Sequence, residues 1–444
     1  MFRYYLMLAL RRCRQNLPMV ALVVLTMAVG IASSMTALTI FQALSGEPLP
    51  GISSHLYVVS MDARDSLADT DSSTDAPSYL KLDDARALVD AHRATQQVAL
   101  AEVLTTVSRA DAATGNAAAH TENASGVMAY GPLIPMFGIP LKYGRSWTAQ
   151  EQAAHAPVVV IAAKLSRELF GSEDTVGRQV RIGDRNFQVI GVSDEWAPKT
   201  QFFDLERNSG AVTGQSQSLF MPLDAALQAG VGPMTSGNCD KGAAAVSFGT
   251  VDVSRCRWLE TWVSLPMPGD VAAFQQFVSN VAEARHRDGS FAHSTKPHIY
   301  SVDQWMNLKH VVPDDVRLNV ALAGAFLLLC MVNVAGLLAA RFMRRQSDVA
   351  IRRALGASRR TVFAQHLVET GVLGVIGGLL AAPLTLLGLW IVRQQPVGYA
   401  DAAELHLSVF LGLLVLSILV GMVVGVLPAW RVCRLQPALQ IKQA

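Results

Sequence analysis

The sequence predicts a membrane protein: an α-helical transmembrane part of four helices with a large extracytoplasmic α+β domain of two lobes. Three observations predict it. Hydrophobic residues make up 51% of the 444 residues and charged residues only 16%, with a mean hydropathy of +0.30. That composition belongs to membrane proteins. Four stretches are apolar over the about 20 residues that a helix rising 1.5 Å per residue needs to cross a bilayer. The basic residues cluster beside these stretches, on one side only.

Residues 1–41 hold a short amphipathic segment and the first span, roughly Pro18 to Ile40. Arg3, Arg11, Arg12 and Arg14 precede it. A cleaved signal peptide would share that basic start, and Gly30, Ala32, Ser33 and Ser34 are small enough for a cleavage site. The apolar run is about twice the 7–15 residues usual in such a peptide, which favours an uncleaved anchor. The remaining spans are expected at 318–340, 367–392 and 407–430. None holds Lys, Arg or Asp, and Glu369 stands at the very start of the third.

Basic clusters lie before the first span, in the 341–366 link (Arg341, Arg344, Arg345, Arg352, Arg353, Arg359, Arg360) and in the 431–444 tail (Arg431, Arg434, Lys442). Positive residues stay inside. Both termini are therefore expected in the cytoplasm and residues 42–317 outside it. The net charge of +2 carries no information about partners, and nothing points to nucleic acid.

The outside domain of roughly 275 residues is ample for a core of its own. Alternating strands at His55–Asp62 and Arg257–Leu265 each precede a helix and a further strand, at Gln97–Ser108 and His298–Val302. The second helix is expected to start after an Asp270 N-cap, with Phe274, Phe277, Val278 and Val281 on one face. Between these units, 109–256 is rich in strands and turns and reads as an inserted lobe. Asn208 to Gln217 is Gly/Ser-rich and reads as a loop. Cys239 and Cys256 are the pair of cysteines outside. In an oxidising compartment they read first as a disulfide, with two buried free thiols as the alternative.

No catalytic residues and no metal site are expected. The ten histidines are scattered, and H-E-x-x-H, G-x-S-x-G and C-x-x-C are all absent. G-x-x-x-x-G-K-[ST] is absent too, so the chain has no nucleotide site of that type and no cofactor of its own. Small residues on the third span (Gly374, Gly378) and the fourth (Gly421, Gly425) predict close helix packing. A contact within one chain and a seam between two chains fit that pattern equally. Asn333, in the second span, reads as a helix–helix hydrogen bond.

The link between spans two and three carries the most specific pattern. Asp348 is followed by I-R-R-A-L-G-A-S, here Ile351, Arg352, Arg353, Ala354, Leu355, Gly356, Ala357 and Ser358, and then by Gln365 and Glu369. This resembles the signature of FtsX-like, MacB-type ABC transporter permeases, in which Glu is commoner than the Asp348 found here. The run from Leu8 to Pro18 and the closing run from Gly425 to Pro437 resemble the ends of that family, although Gln440 and Ile441 depart from its last two places. Gly144 to Thr148, Leu169 to Gly171 and Ile190 to Val192 resemble its periplasmic core.

The resemblance implies ATPase coupling through Asp348, Ile351, Arg352, Arg353, Leu355, Gly356 and Ser358. By charge alone Arg341, Arg344 and Arg345 read as topological anchors. It implies a separate cytoplasmic ABC ATPase that holds ATP and Mg, and a second permease chain, identical or a related paralogue. It further implies mechanotransmission across the inner membrane to a moving periplasmic domain. That motion would drive export of a peptide, antibiotic, toxin or lipoprotein, with a periplasmic adaptor and an outer-membrane duct as candidate partners beside membrane lipid. The alternative is an FtsX-like regulatory subunit acting on a periplasmic hydrolase or sensor. The size of the outside domain favours export.

Overall fold

The computed structural model describes residues 17–64, 79–110, 121–198, 200–205, 216–234, 238–239, 255–292, 296–343, 358–395 and 407–434. The chain forms two compact units, Gly46–Val311 and the combination of Met1–Ser45 with Val312–Ala444. It begins, within the described residues, with α1 (Leu17–Ser45), which carries no charged side chain. Thr26, Thr36, Thr39 and Ser45 each donate to the carbonyl four residues back. Their hydroxyls are thus satisfied without water, as a lipid-embedded helix requires.

Residues 46–311 supply β1 (Leu56–Ser60), β2 (Tyr79–Leu80), α2 (Leu82–Asp90), β3 (Gln96–Arg109) and β4 (Thr121–Tyr130). They continue with β5 (Leu141–Gly144), β6 (Val158–Ala162), α3 (Ala163–Phe170), β7 (Gln179–Ile182), β8 (Arg185–Ser193) and β9 (Leu219–Pro222). The last part holds β10 (Asn238–Cys239), β11 (Cys256–Arg257), β12 (Leu259–Ser264), α4 (Pro268–Arg287), β13 (His298–Ser301) and α5 (Val302–Leu308).

The two strand–helix–strand units interleave. Strand β1 lies between β13 and β12, antiparallel to both, and β12 lies between β1 and β3. Helix α4 starts two residues earlier than its expected cap. Its N-cap is Met267 and Pro268 takes the first helical position, with Asp270 inside the first turn. Proline's fixed φ suits that position, and its missing N–H costs nothing there. The expected face is present: Phe274 and Val278 are buried, and Phe277 and Val281 pack against the same core.

The middle segment joins the same sheet rather than building a separate one. Strand β3 is 14 residues long and serves three partners. One edge takes β12 along 96–100 and β7 along 107–109; the other takes β4 along 99–108. The path β3–β4–β9–β6–β8–β7 then returns to β3. The inserted region is therefore a closed ring of six strands that shares β3 with the outer sheet. Closure leaves none of these six paired strands with a long open edge. Along β3, Val98 and Leu100 enter one core cluster while Ala99, Ala101, Val103 and Val107 enter the other. That is the period-two alternation of a strand with both faces covered. Cys239 and Cys256 face each other across the β10–β11 pair and form a disulfide.

The helical unit is completed by α6 (Asp314–Met343), α7 (Arg359–Arg393) and α8 (Leu407–Arg434). Helices α1, α6 and α7 are each long and apolar enough to cross a membrane, and Val415–Val426 of α8 forms a shorter apolar stretch. Leu318, Leu322, Leu328, Leu329 and Val332 of α6 are exposed, a surface that only lipid or another apolar partner covers favourably. Val24, Ile31, Val334, Leu338, Leu373 and Val424 form the core between the helices.

Candidate functional site

The sequence pattern points to the link between α6 and α7. Of its residues, Asp348, Ile351, Arg352, Arg353, Leu355 and Gly356 lie outside the described residues. Ser358 lies within them. It is the N-cap of α7, and its Oγ accepts from the Thr361 backbone N–H at 3.2 Å. A helix start has four unpaired N–H groups, and a serine cap satisfies one of them.

Helix α7 differs from expectation in one useful way. Residues 359–366 belong, in the sequence reading, to the 341–366 link before a third span starting at 367. The structure joins them into one helix of 35 residues. Its length of roughly 52 Å exceeds the roughly 30 Å of hydrocarbon that it must cross. Arg359 and Arg360 at its capped end favour that end standing outside the hydrocarbon, next in sequence to the patterned segment. The helix is continuous from its Ser358 cap past Glu369.

At the base of this extension sits a buried charge cluster. Arg341, in the last turn of α6, places Nη2 2.9 Å from Glu369 Oε1 of α7. Their side chains are only 2% and 3% exposed. His366 Nδ1 lies 3.9 Å from Glu369 Oε2. The Phe342 ring packs on the His366 ring at 4.4 Å between centroids. His366 and Glu369 share a helix face because they are three residues apart. Arg341 is thus held in a buried ion pair rather than exposed at the end of α6. In sequence an arginine after a span looks the same in either role; the signal for this one was Glu369, a carboxylate that lipid tolerates only beside a partner.

Immediately beyond the pair, α7 meets α8 backbone to backbone. A Cβ added to Gly374 would lie 2.6 Å from the Ser417 carbonyl oxygen, and one added to Gly421 would lie 2.8 Å from that of Thr370. Gly425 sits as tightly against the Thr370 side chain, and Gly378 is buried one turn further along α7. These contacts lie within one chain. Asn333 does not make the expected helix–helix bond among the described residues: it is exposed on α6. A groove of about 580 Å³ lies between α1, α6 and α7, lined by apolar residues with Ser33, Thr36 and Asn319. Among the described residues no group of three or more His, Cys, Asp or Glu could hold a metal ion.

Two families match the chain. The MacB-like periplasmic core domain matches residues 20–278, and the FtsX-like permease C-terminal domain matches residues 320–437. Among curated relatives, the macrolide export ATP-binding/permease protein MacB of Bdellovibrio bacteriovorus is 22% identical over 296 residues, covering 66% of this chain and 40% of that protein. The uncharacterized ABC transporter permease YknZ of Bacillus subtilis is 24% identical over 307 residues, covering 67% of this chain and 65% of that one. The chain thus spans about 40% of the length of the MacB relative. Among solved structures, the periplasmic region of MacB from Actinobacillus actinomycetemcomitans aligns with a TM-score of 0.36 at 16% identity, over 58% of this chain and 94% of that one.

Proposed function

The chain belongs to the FtsX-like permeases with a MacB-like periplasmic core domain, and on that footing we propose that it couples a separate cytoplasmic ATPase to motion of its outer domain. It is an ABC transporter permease and an integral membrane protein with an extracytoplasmic domain. The finer reading is that ATP binding and hydrolysis on a partner move residues 46–311, and that this motion drives export from the periplasm or membrane. A second permease chain completes the unit, and both termini face the cytoplasm. The observation that carries the reading is α7: one helix runs from the Ser358 cap, at the end of the patterned segment, into the membrane. Force received by Asp348 to Gly356 enters a span directly. The size of the outer domain and its closed six-stranded ring support a body moved as a whole over a small regulatory sensor.

The test is co-purification of the full chain with the neighbouring ATPase, followed by its turnover in lipid. Arg352→Glu and Gly356→Val are expected to abolish stimulated turnover while membrane insertion is unchanged. Wild-type binding and turnover in both variants would remove the main support for coupling through this segment.

A further inference from the structure

We propose that the buried Arg341–Glu369 pair is the fulcrum on which α7 turns against α6, so that these two are positioning residues for ATPase coupling. The inference rests on the permease reading above and adds the residues that convert a push into a tilt. Three observations lead to it. The first is placement. Arg341 lies two residues before the end of α6 and Glu369 ten residues after the start of α7, so the pair closes the base of the loop that holds the patterned segment. The second is chemistry. Two charges buried between helices hold them no more strongly than a well-packed apolar pair of equal volume would. What an ion pair adds is direction and register, since the guanidinium and the carboxylate meet favourably in few geometries. The third is the surroundings. The face of α7 that meets α8 makes close backbone contacts at this level, Gly374 on Gly421 and Thr370 on Gly425. Smooth backbone contact lets α7 rock where the charged contact pins it.

The lever has arms of similar length. From Ser358 to Glu369 is about 16 Å of helix, and from Glu369 to the interior Pro383 about 21 Å. A shift of about 1 Å at the capped end therefore moves the helix near Pro383 by about 1 Å in the opposite sense, if the pair holds. Without the pair the same push slides α7 past α6. His366 lies on the same helix face as Glu369 and packs against Phe342, so the aromatic contact resists rotation of α7 about its own axis.

The test uses the full chain with its ATPase in lipid nanodiscs and four variants: Glu369→Gln, Arg341→Met, the apolar double Arg341→Met/Glu369→Met, and the swapped pair Arg341→Glu/Glu369→Arg. Three readouts are taken: the amount of ATPase that co-purifies, the thermal midpoint, and the permease-dependent change in ATP turnover. Expected is a loss of about tenfold or more in permease-dependent turnover for the single variants and the apolar double, with the ATPase retained. The apolar double should nevertheless match the wild type in thermal midpoint, and the swapped pair should recover turnover. Full turnover in the apolar double would show that the pair only packs, and overturns the proposal. Loss of turnover that follows the thermal midpoint through all four variants overturns it as well. A wild-type chain that neither retains nor stimulates the ATPase removes the permease reading itself, an outcome distinct from both.

Discussion

In the helical unit a buried carboxylate meets a guanidinium, Glu369 on Arg341. In the outer domain the bonds to buried carboxylates include several from neutral donors. Glu260 accepts from the Asp204 backbone N–H and from Trp262 Nε1, both at 2.8 Å. Glu102 accepts from the side-chain amides of Gln201 at 2.7 Å and Gln217 at 3.0 Å. The outer arrangement holds a segment of backbone, 200–205, against β3 and β12. It holds it well enough to keep Asp204 in the left-handed region, at φ +53°, where a non-glycine residue is uncommon. The membrane arrangement holds two helices, each already satisfied along its backbone. The lesson is about what needs holding. At Glu260 the buried charge serves irregular backbone, whose N–H groups lack a regular partner. Between α6 and α7 it serves the relation between two helices whose interior backbone is already paired.

The largest expected effect breaks this comparison at both ends at once. Arg341→Ala leaves Glu369 buried without its guanidinium and should cost about 3–5 kcal/mol. Glu260→Ala strips two buried N–H groups of an acceptor but also removes a buried charge, and should cost about 2 kcal/mol. Thermal unfolding of the full chain in a Trp390→Phe/Trp430→Phe background, followed by tryptophan fluorescence for the outer domain and by helical circular dichroism for the bundle, separates the two. Equal losses in both, or a loss at Arg341 no larger than that of a surface substitution, would erase the distinction drawn above. Trp262 lies edge-on to Phe202 at 5.3 Å, so its fluorescence reports on the 200–205 segment.

The next effect lies in the outer domain alone. The disulfide joins cysteines 17 residues apart, and closing a loop of that size restricts the unfolded chain by about 3 kcal/mol in the chain-entropy account. Cys239→Ser/Cys256→Ser should therefore lower the stability of the outer domain by up to about 3 kcal/mol and leave the bundle's helical signal unchanged. A bundle that unfolds earlier in the double variant would show that the two units share one cooperative transition.

Much of this organisation is legible in the sequence, and the parts that are not share a cause. Apolar length sets the spans, and alternation sets β1, β3 and β12, because each depends on residues close in sequence. The Asp348 to Ser358 pattern is legible for the same reason, as a run of neighbouring residues. Ring closure is another matter. Nothing in Gln179–Ile182 says that its strand bridges β3 and β8, since a strand's partners are chosen by the whole sheet. The start of α4 lies before the expected Asp270 cap because Pro268 serves as its first helical residue. The Arg341–Glu369 contact is not legible in the same way because its partners are 28 positions apart, and only Glu369 hints at it.

The smallest effect is an ion pair that water can reach, and it sharpens the comparison by showing what charge contributes without burial. Thr148 caps the short helix Ala149–Ala153 in a reciprocal box with Glu151. Arg145 donates to both Glu151 oxygens, at 2.8 and 2.7 Å. The Arg145 bonds, together with those from Thr148, hold the Glu151 carboxyl down at about 2, against an ordinary 4.5. A carboxyl whose folded value is lowered binds its proton more readily in the unfolded chain. Its contribution is therefore whole above about pH 4.5 and disappears as the pH falls through about 2. The Arg145 side chain is 55% exposed, so screening keeps the contribution below about 1 kcal/mol. Glu151→Gln keeps the shape and removes the charge. The stability difference between wild type and variant should be small and constant from pH 7 down to about 4.5, then shrink towards pH 2. Added salt should reduce it at neutral pH, whereas the loss in Arg341→Ala should be insensitive to salt, because ions screen exposed charges far more than buried ones. A difference that is independent of both pH and salt would mean that Glu151 acts through its cap geometry alone.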